Sequence, residues 1–338
     1  MNQITDRLQK FSEQKIGLDS KIVHLEHFNP RWKRIFSEEA YFIFDQLRDE
    51  TLRLYHVGST SIPGLDSKPI IDILGSVASL DELDQKKNRL EAIGYEYKGE
   101  FGIPGRRFCI LHNPEKTIGY VHLHVFQHGH FEIEKHLRFR DYLRLSKTAK
   151  ESYAQYKRYL CEELQISREK YQKAKNELIA KLTKDADNKK TEQKIFALLG
   201  AAEGHKNTLQ FLQETYTRSS VEIVDLNDLS IAPYTYLNNP SDDFHTIIQK
   251  ILAADLLVLA TPVYWYAMST SMKNFFDRLT NLLNGEFKDM GEMLYGKKVQ
   301  LVSTGADLTL PYGFEVPFTG TAIYLGMDYM GALYKSVN

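Results

Sequence analysis

The sequence predicts an α/β protein built as two units, the second of them a doubly wound parallel sheet of five strands. Three observations lead there. The chain has 338 residues, and domains of about 100–200 residues each make two units the expectation. A charged stretch with no large apolar residue, TKDADNKKTEQK at 183–194, separates two periodic regions and reads as a linker. Beyond it, short apolar runs alternate with segments of helical spacing, the pattern of parallel strands joined by helical crossovers. The divisions expected are 1–185 and 193–338.

Composition narrows the class. Hydrophobic residues make up 43% and charged residues 26% of the chain, the balance of a folded globular protein rather than a disordered one. With 43 Lys+Arg against 44 Asp+Glu, bulk positive charge for nucleic-acid binding is missing. That near-neutrality is an average: residues 191–338 carry 10 basic against 16 acidic residues, and those before them 33 against 28. Cys109 and Cys161 are the only thiols, too few for a disulfide framework or a cysteine-rich zinc site, and they fit a reducing cytosol. No apolar run reaches the roughly 18–20 residues of a membrane span. The opening MNQITDRLQKFSEQK has no signal-peptide core, so a cytoplasmic, membrane-free protein is expected.

In the first half, the runs at 52–57 and 69–74 are β-like. Between them lies Gly58-Ser59-Thr60-Ser61-Ile62-Pro63-Gly64, and the second run delivers Asp72. Turn N–H groups and the Ser59 hydroxyl suit phosphate oxygens, and Asp72 suits Mg²⁺; a plain β-turn beside an ordinary strand Asp is the bland alternative. His122 and His124 alternate in VHLHVF and so share a strand face, where either could ligate a metal or touch a phosphate beside Asp72. Lys68, Arg106 and Arg107 offer phosphate contacts, or are surface charges. Leu74 stands where two-metal transferases place a second carboxylate. Tyr153, Tyr156 and Leu160 lie at helical spacing and read as core. Cys109, in RRFCIL, reads as an inert buried thiol.

In the second half, strands are expected at 194–199, 221–224, 256–260, 298–302 and 329–334. Helix faces are expected through Leu209, Leu212 and Tyr216, through Phe244, Ile247, Ile248 and Ile251, and through Met268, Met272, Phe275, Phe276 and Leu279. In such sheets ligands bind beyond the carboxyl ends of the strands, beside the point where strand order reverses. The loop after the first strand runs from Gly200 to Thr208 and opens a helix, whose free N–H groups suit a phosphate; Asn207 or Thr208 as a simple N-cap is the alternative. The loop after the third strand, Thr261-Pro262-Val263-Tyr264-Trp265-Tyr266-Ala267, puts three aromatics in a row at the mouth of the sheet, as a flat ligand would require.

Two resemblances follow. ATPVYWYAMSTSMKNFFDRL, with DDFHTIIQKILAADLLVLATPVYW before it and LVSTGAD after it, resembles the flavodoxin-like NAD(P)H-dependent FMN reductases. The resemblance implies an FMN site formed by Gly200, Asn207 and Thr208 at the phosphate, Pro262, Val263, Tyr264, Trp265 and Tyr266 at the ring, and Ser303, Thr304 and Gly305 at its edge. It implies hydride transfer from NAD(P)H through flavin N5 to a small electron acceptor, with no protein acid or base as catalyst, and a homodimer formed through this domain. Ala201 and Ala202 replace the usual loop serine. Tyr234 and Tyr236 stand where iron–sulfur relatives have cysteines, which excludes a cluster. The family pattern has one more helix after the fifth strand, so the unit is expected to lack its last helix.

HVGSTSIPGLDSKPIIDIL, followed by GEFGIPGRRF, HLHVFQHG, HLRFRDYLR and YQKAK, is identified as a member of the GrpB family, whose fold is related to that of the polymerase-beta nucleotidyltransferases. This implies a nucleotidyltransferase-like α+β domain; the residues themselves offer Gly58, Ser59, Lys68, Arg106 and Arg107 toward a nucleotide or phosphate and Asp72 and His124 toward a metal. The expected function is therefore a fusion: an FMN-dependent oxidoreductase behind a nucleotide- or phosphate-binding domain. The alternatives are a nucleotidyl- or phosphotransferase using Asp72, and a catalytically degraded sensing scaffold.

Overall fold

The computed structural model describes residues 3–19, 24–163, 193–202, 206–217, 221–236 and 241–337. The linker up to residue 192, the YQKAK segment and positions 203–205 of the glycine loop lie outside the described residues. The chain divides into two compact units, Met1–Lys190 and Thr191–Asn338.

The first unit is built on a mixed sheet. Its strands are β1 (Leu18–Asp19), β2 (Arg53–Val57), β3 (Ile71–Val77), β4 (Tyr95–Tyr97), β5 (Arg106–His112) and β6 (Ile118–Gln127), in the order β2-β3-β6-β5-β4 with β1 beside β6. Only β3 and β6 run parallel; the remaining pairs are antiparallel. In those two central strands Ile71, Ile73, Leu74, Val121, Leu123 and Val125 are buried. Helix α1 (Gln3–Glu13) precedes the sheet. In α2 (Arg31–Leu47), Trp32, Ile35, Phe36, Ala40, Ile43 and Leu47 recur every three or four residues and are buried. Two short helices, α3 (Leu80–Gln85) and α4 (Lys87–Ala92), lead into β4. Helices α5 (Phe131–Leu145) and α6 (Lys147–Arg158) follow β6, and Tyr153 is buried against Ile62, Leu65 and Leu143.

The second unit holds five parallel strands: β7 (Ile195–Leu199), β8 (Val221–Asp225), β9 (Leu256–Pro262), β10 (Lys298–Gly305) and β11 (Asp328–Ser336). Their order, β8-β7-β9-β10-β11, is that of flavodoxin-like sheets. Alternating strand residues feed two cores. Phe196, Leu198, Leu257, Leu259, Val299 and Leu301 pack with α8 (Phe244–Ala253), α9 (Thr270–Arg278) and α11 (Val316–Leu325). Ile195, Ala197, Leu199, Val258, Ala260 and Val302 pack on the other side with Leu212 of α7 (Asn207–Thr215). Helix α10 (Lys288–Met293) completes the unit. Among the described residues, no helix is long and apolar enough to cross a membrane.

Candidate functional site

Strand order reverses between β7 and β9, and the loops leaving their carboxyl ends carry the predicted ring and phosphate residues. Gly200 is needed where the first loop starts: a Cβ there would meet Ser269 Oγ at 3.0 Å and the Met272 backbone nitrogen at 3.1 Å. Asn227 Nδ2 donates to the Ala201 carbonyl at 2.5 Å, tying this loop to the end of β8. Helix α7 opens at Asn207, which is exposed, and Lys206 before it makes no side-chain cap bond. The backbone N–H groups of a helix start suit an anion. Thr208, by contrast, is buried and spends its hydroxyl on Thr304 Oγ1.

Among the described residues of the unit, the loop after β9 holds the non-glycine residues with positive φ. Tyr264 N–H donates to the Ala267 carbonyl at 2.9 Å, and Ala267 N–H donates back at 3.0 Å, closing a tight turn. The two residues between them, Trp265 and Tyr266, have φ values of 50° and 63°. Successive positive φ values are those of a type I′ turn, a place normally given to Asn-Gly. Here two bulky aromatics occupy it, 95% and 70% exposed. Beside them the Tyr264 hydroxyl is buried with no hydrogen-bond partner among the described residues. Strain, bare aromatic surface and an unpaired buried hydroxyl coincide at one loop.

The strand ends behind that loop are rigid. Ser303 Oγ donates to the Thr261 carbonyl at 2.7 Å, and Val263 N–H donates to the Thr304 carbonyl at 2.8 Å. Ser303 and Thr304 are thus buried braces between β9 and β10, with their hydroxyls engaged inside the protein. A Cβ on Gly305 would lie 2.8 Å from Tyr334 Oη and 3.2 Å from Val263 Cβ, so glycine keeps that corner open. Ser269, which the sequence reading passed over, caps α9 by accepting from Met272 N–H at 3.2 Å. A cofactor with a phosphate and a flat ring fits this set: a helix start, a glycine-lined corner and an exposed aromatic pair.

In the first unit, register brings three predicted residues together. Asp72 on β3 pairs with His122 on β6, and Leu74 pairs with His124. One ligand atom each from Asp72, His122 and His124 lies within 4.8 Å of the others. The His122 Nδ1–H faces Asp72 Oδ1 at 3.2 Å. Desolvation holds the His124 ring down to about 3, so it is neutral at physiological pH. Gly58 turns beside this cluster with φ 70°, and a Cβ there would stand 2.2 Å from Asp72 Oδ2. Ser59 begins a single 3₁₀ turn, Ser59–Ser61. Behind it, His56 is buried, stacks on Phe36 and meets Thr60 Oγ1 at 3.0 Å.

The basic residues divide. Arg106 Nη1 reaches His124 Nδ1 at 3.3 Å, while other guanidinium nitrogens donate to the Phe101 and Glu100 carbonyls. Arg107 is turned away as the second half of a fork on Asp84, at 2.7 and 2.6 Å, and so does not face the cluster. Alternation along β5 explains the split, since neighbouring residues point to opposite faces. Lys68 is half-buried in the loop before β3. Cys109 is buried and desolvation raises its thiol pKa, as an inert thiol requires.

The profile of the family described as GrpB protein matches residues 22–185. The UPF0157 protein BH1888 of Halalkalibacterium halodurans is 35% identical over 184 residues, covering 54% of this chain and 91% of that protein. The chain belongs to the GrpB family. It covers 43% of the length of Bacillus subtilis YqkA, a UPF0157 protein to which it is 37% identical. A crystal structure of GrpB from Enterococcus faecalis aligns at a TM-score of 0.45 and 37% identity, over 48% of this chain and 96% of that one. Residues 193–309 match a second family, NADPH-dependent FMN reductase. Bacillus subtilis YwqN, named as an NAD(P)H-dependent FMN-containing oxidoreductase, is 28% identical over 41% of this chain and 82% of its own length. This GrpB protein therefore joins a GrpB domain to a domain of the FMN reductase family.

Proposed function

We propose that the second domain is an FMN-dependent NAD(P)H oxidoreductase acting on quinone-, azo-, nitro- or flavin-type acceptors. The observation that carries this reading is the turn at 264–267, where aromatic surface is held exposed at the cost of backbone strain, beyond the switch point of the sheet. Bound FMN supplies hydride chemistry that no side chain of the domain offers. The chain's own residues bind and orient. The first turn of α7, with Asn207, holds the phosphate through backbone N–H groups, which compensates for Ala201 and Ala202. Trp265 and Tyr266 supply flat faces for the ring, and the Tyr264 hydroxyl gains a partner. The braces Ser303–Thr261 and Thr304–Val263 keep the two ring loops at fixed separation, and Gly305 leaves room at the ring edge. Backbone N–H groups at the loop would stabilise negative charge on the reduced ring.

The test is titration of the purified full chain with FMN, followed by NADPH under anaerobic conditions. Quenched flavin fluorescence, a raised melting temperature and bleaching of the flavin band are expected. A colourless protein that FMN neither stabilises nor has its fluorescence quenched by would overturn the reading.

For the GrpB domain we propose an anionic ligand of the nucleotide or phosphate class, held at the Gly58–Ser59 turn with Arg106 and Lys68. The support is the approach of Gly58 to Asp72, which places the turn directly beside the Asp72–His122–His124 cluster. Isothermal titration of the full chain with ATP, with and without Mg²⁺, tests this, and Arg106→Ala should lose the binding.

A further inference from the structure

The polymerase-beta fold places two carboxylates on one strand for two Mg²⁺ ions. This chain does not: Leu74, fully buried, takes the second position, and only Asp72 remains. The parallel register of β3 and β6 compensates in a different currency, setting His122 and His124 beside Asp72 and Leu74 respectively. We propose that Asp72, His122 and His124 form a site for a single borderline divalent d-block cation, such as Zn²⁺, Fe²⁺ or Ni²⁺, and not for Mg²⁺.

The geometry carries this. One atom of each side chain lies within 4.8 Å of the other two. Ligands about 2.0–2.2 Å from a common ion stand roughly 3.0–3.5 Å apart. The Asp72 Oδ1 to His122 Nδ1 separation of 3.2 Å is already an edge of that size. The other two edges run to His124 and are no longer than 4.8 Å. The donor set decides the metal: Mg²⁺ demands hard oxygen ligands and keeps its waters, whereas imidazole suits Zn²⁺, Fe²⁺ and Ni²⁺. Three protein ligands also leave positions open for water or an anionic oxygen, as in catalytic rather than structural sites. Gly58 presses against Asp72 Oδ2, where only a residue without a Cβ fits, so the Gly58–Ser59 turn borders the site.

Arg106 is the built-in competitor. Its Nη1 lies 3.3 Å from His124 Nδ1. A neutral imidazole bound to metal through one nitrogen carries its proton on the other, so Arg106 cannot donate to Nδ1 whichever nitrogen the ion takes. The guanidinium keeps its anchors on the Phe101 and Glu100 carbonyls when that contact is lost. Removing it should therefore tighten the site by both charge and tautomer.

The experiment is isothermal titration of the metal-stripped full chain with Zn²⁺, in the presence and absence of excess Mg²⁺, alongside thermal melts. Wild type should take up one ion per chain that Mg²⁺ does not displace, with a raised melting temperature. Asp72→Asn and His124→Gln should lose the ion, and Arg106→Gln should bind about 10-fold tighter or more. His112→Gln, which removes a histidine on another part of the sheet, should bind as wild type. Should Asp72→Asn fail to fold, Asp72→Glu keeps the carboxylate and should retain the ion while His124→Gln does not. Unchanged Zn²⁺ uptake in His124→Gln, displacement by Mg²⁺, no uptake by wild type, or no tightening in Arg106→Gln would each overturn the assignment.

Discussion

The hydroxyls of Thr208 and Thr304 meet at 2.7 Å, both residues buried, although 96 positions separate them in the chain. The contact joins the first turn of α7 to the end of β10, so the two loops proposed to hold the cofactor's phosphate and ring edge are positioned by one shared bond. Replacing either threonine by valine leaves the other hydroxyl buried and unsatisfied, which costs about 1–3 kcal/mol. Replacing both removes the orphan. Thr208→Val and Thr304→Val should each lower stability in urea melts by that amount, and the double variant should recover most of the loss. Additive losses would mean that the hydroxyls do not depend on each other.

Asp242 and Arg278 form a second long-range anchor. Arg278 pairs with both carboxylate oxygens, and the two side chains are 5% and 3% exposed. Burial works against the Asp242 charge, but Arg278 and the N–H groups of Ala232 and Phe244 outweigh it and hold the carboxyl below its usual range. Arg278 also donates to the Ala232 carbonyl at 2.9 Å, pinning the loop beyond Ser230 to α9. Arg278→Met strands a buried carboxylate, so a loss of about 3–5 kcal/mol in denaturant melts is expected.

Strand periodicity made the second sheet readable from sequence, because β7, β9 and β10 are short apolar runs bounded by glycine, proline or charge. Helix α11 was not readable: VPFTGTAIYL is apolar nearly all round, so no face stands out, and only Pro317 at its start and Gly326 at its left-handed end, φ 67°, mark its limits. In the GrpB domain the alternation of His122 and His124 predicted a shared face, and the register with β3 confirms that they stand beside Asp72 and Leu74. Sequence does not reveal register, so neither the Arg107–Asp84 fork nor the partnership of Thr208 with Thr304 could be anticipated. Those bonds depend on which strands become neighbours, and the identity of each residue leaves that open.

Trp265 and Tyr266 hold a turn that favours other residues. A left-handed backbone costs a residue with a side chain about 1–2 kcal/mol. Replacing the pair by Asn-Gly should therefore raise the melting temperature of the flavin-free protein and at the same time weaken FMN binding. The two readouts are expected to move in opposite directions, since the same residues are strained in the backbone and, in the proposed site, offer their exposed faces to the ring. Tighter FMN binding in the Asn-Gly variant would show that the aromatics take no part in the site.

Glu96 gives the GrpB domain an acid-sensitive edge. His112 Nε2 approaches its Oε2 at 2.8 Å, and Lys116 and Lys98 lie 2.9 and 3.4 Å from its Oε1. The hydrogen bond from His112, then that from Lys116, bring the carboxyl down to about 2. An unfolded Glu titrates near about 4.3. Because the folded group is the stronger acid, its contribution is complete above the unfolded value and drains away as pH falls from there toward 2. Glu96→Gln should be less stable than wild type at pH 7, and its stability should change less between pH 5 and about 2. Thermal melts of both proteins across that range should converge at the acid end. Parallel curves, with a constant gap down to the lowest pH, would place the loss in packing and not in the carboxylate's charge.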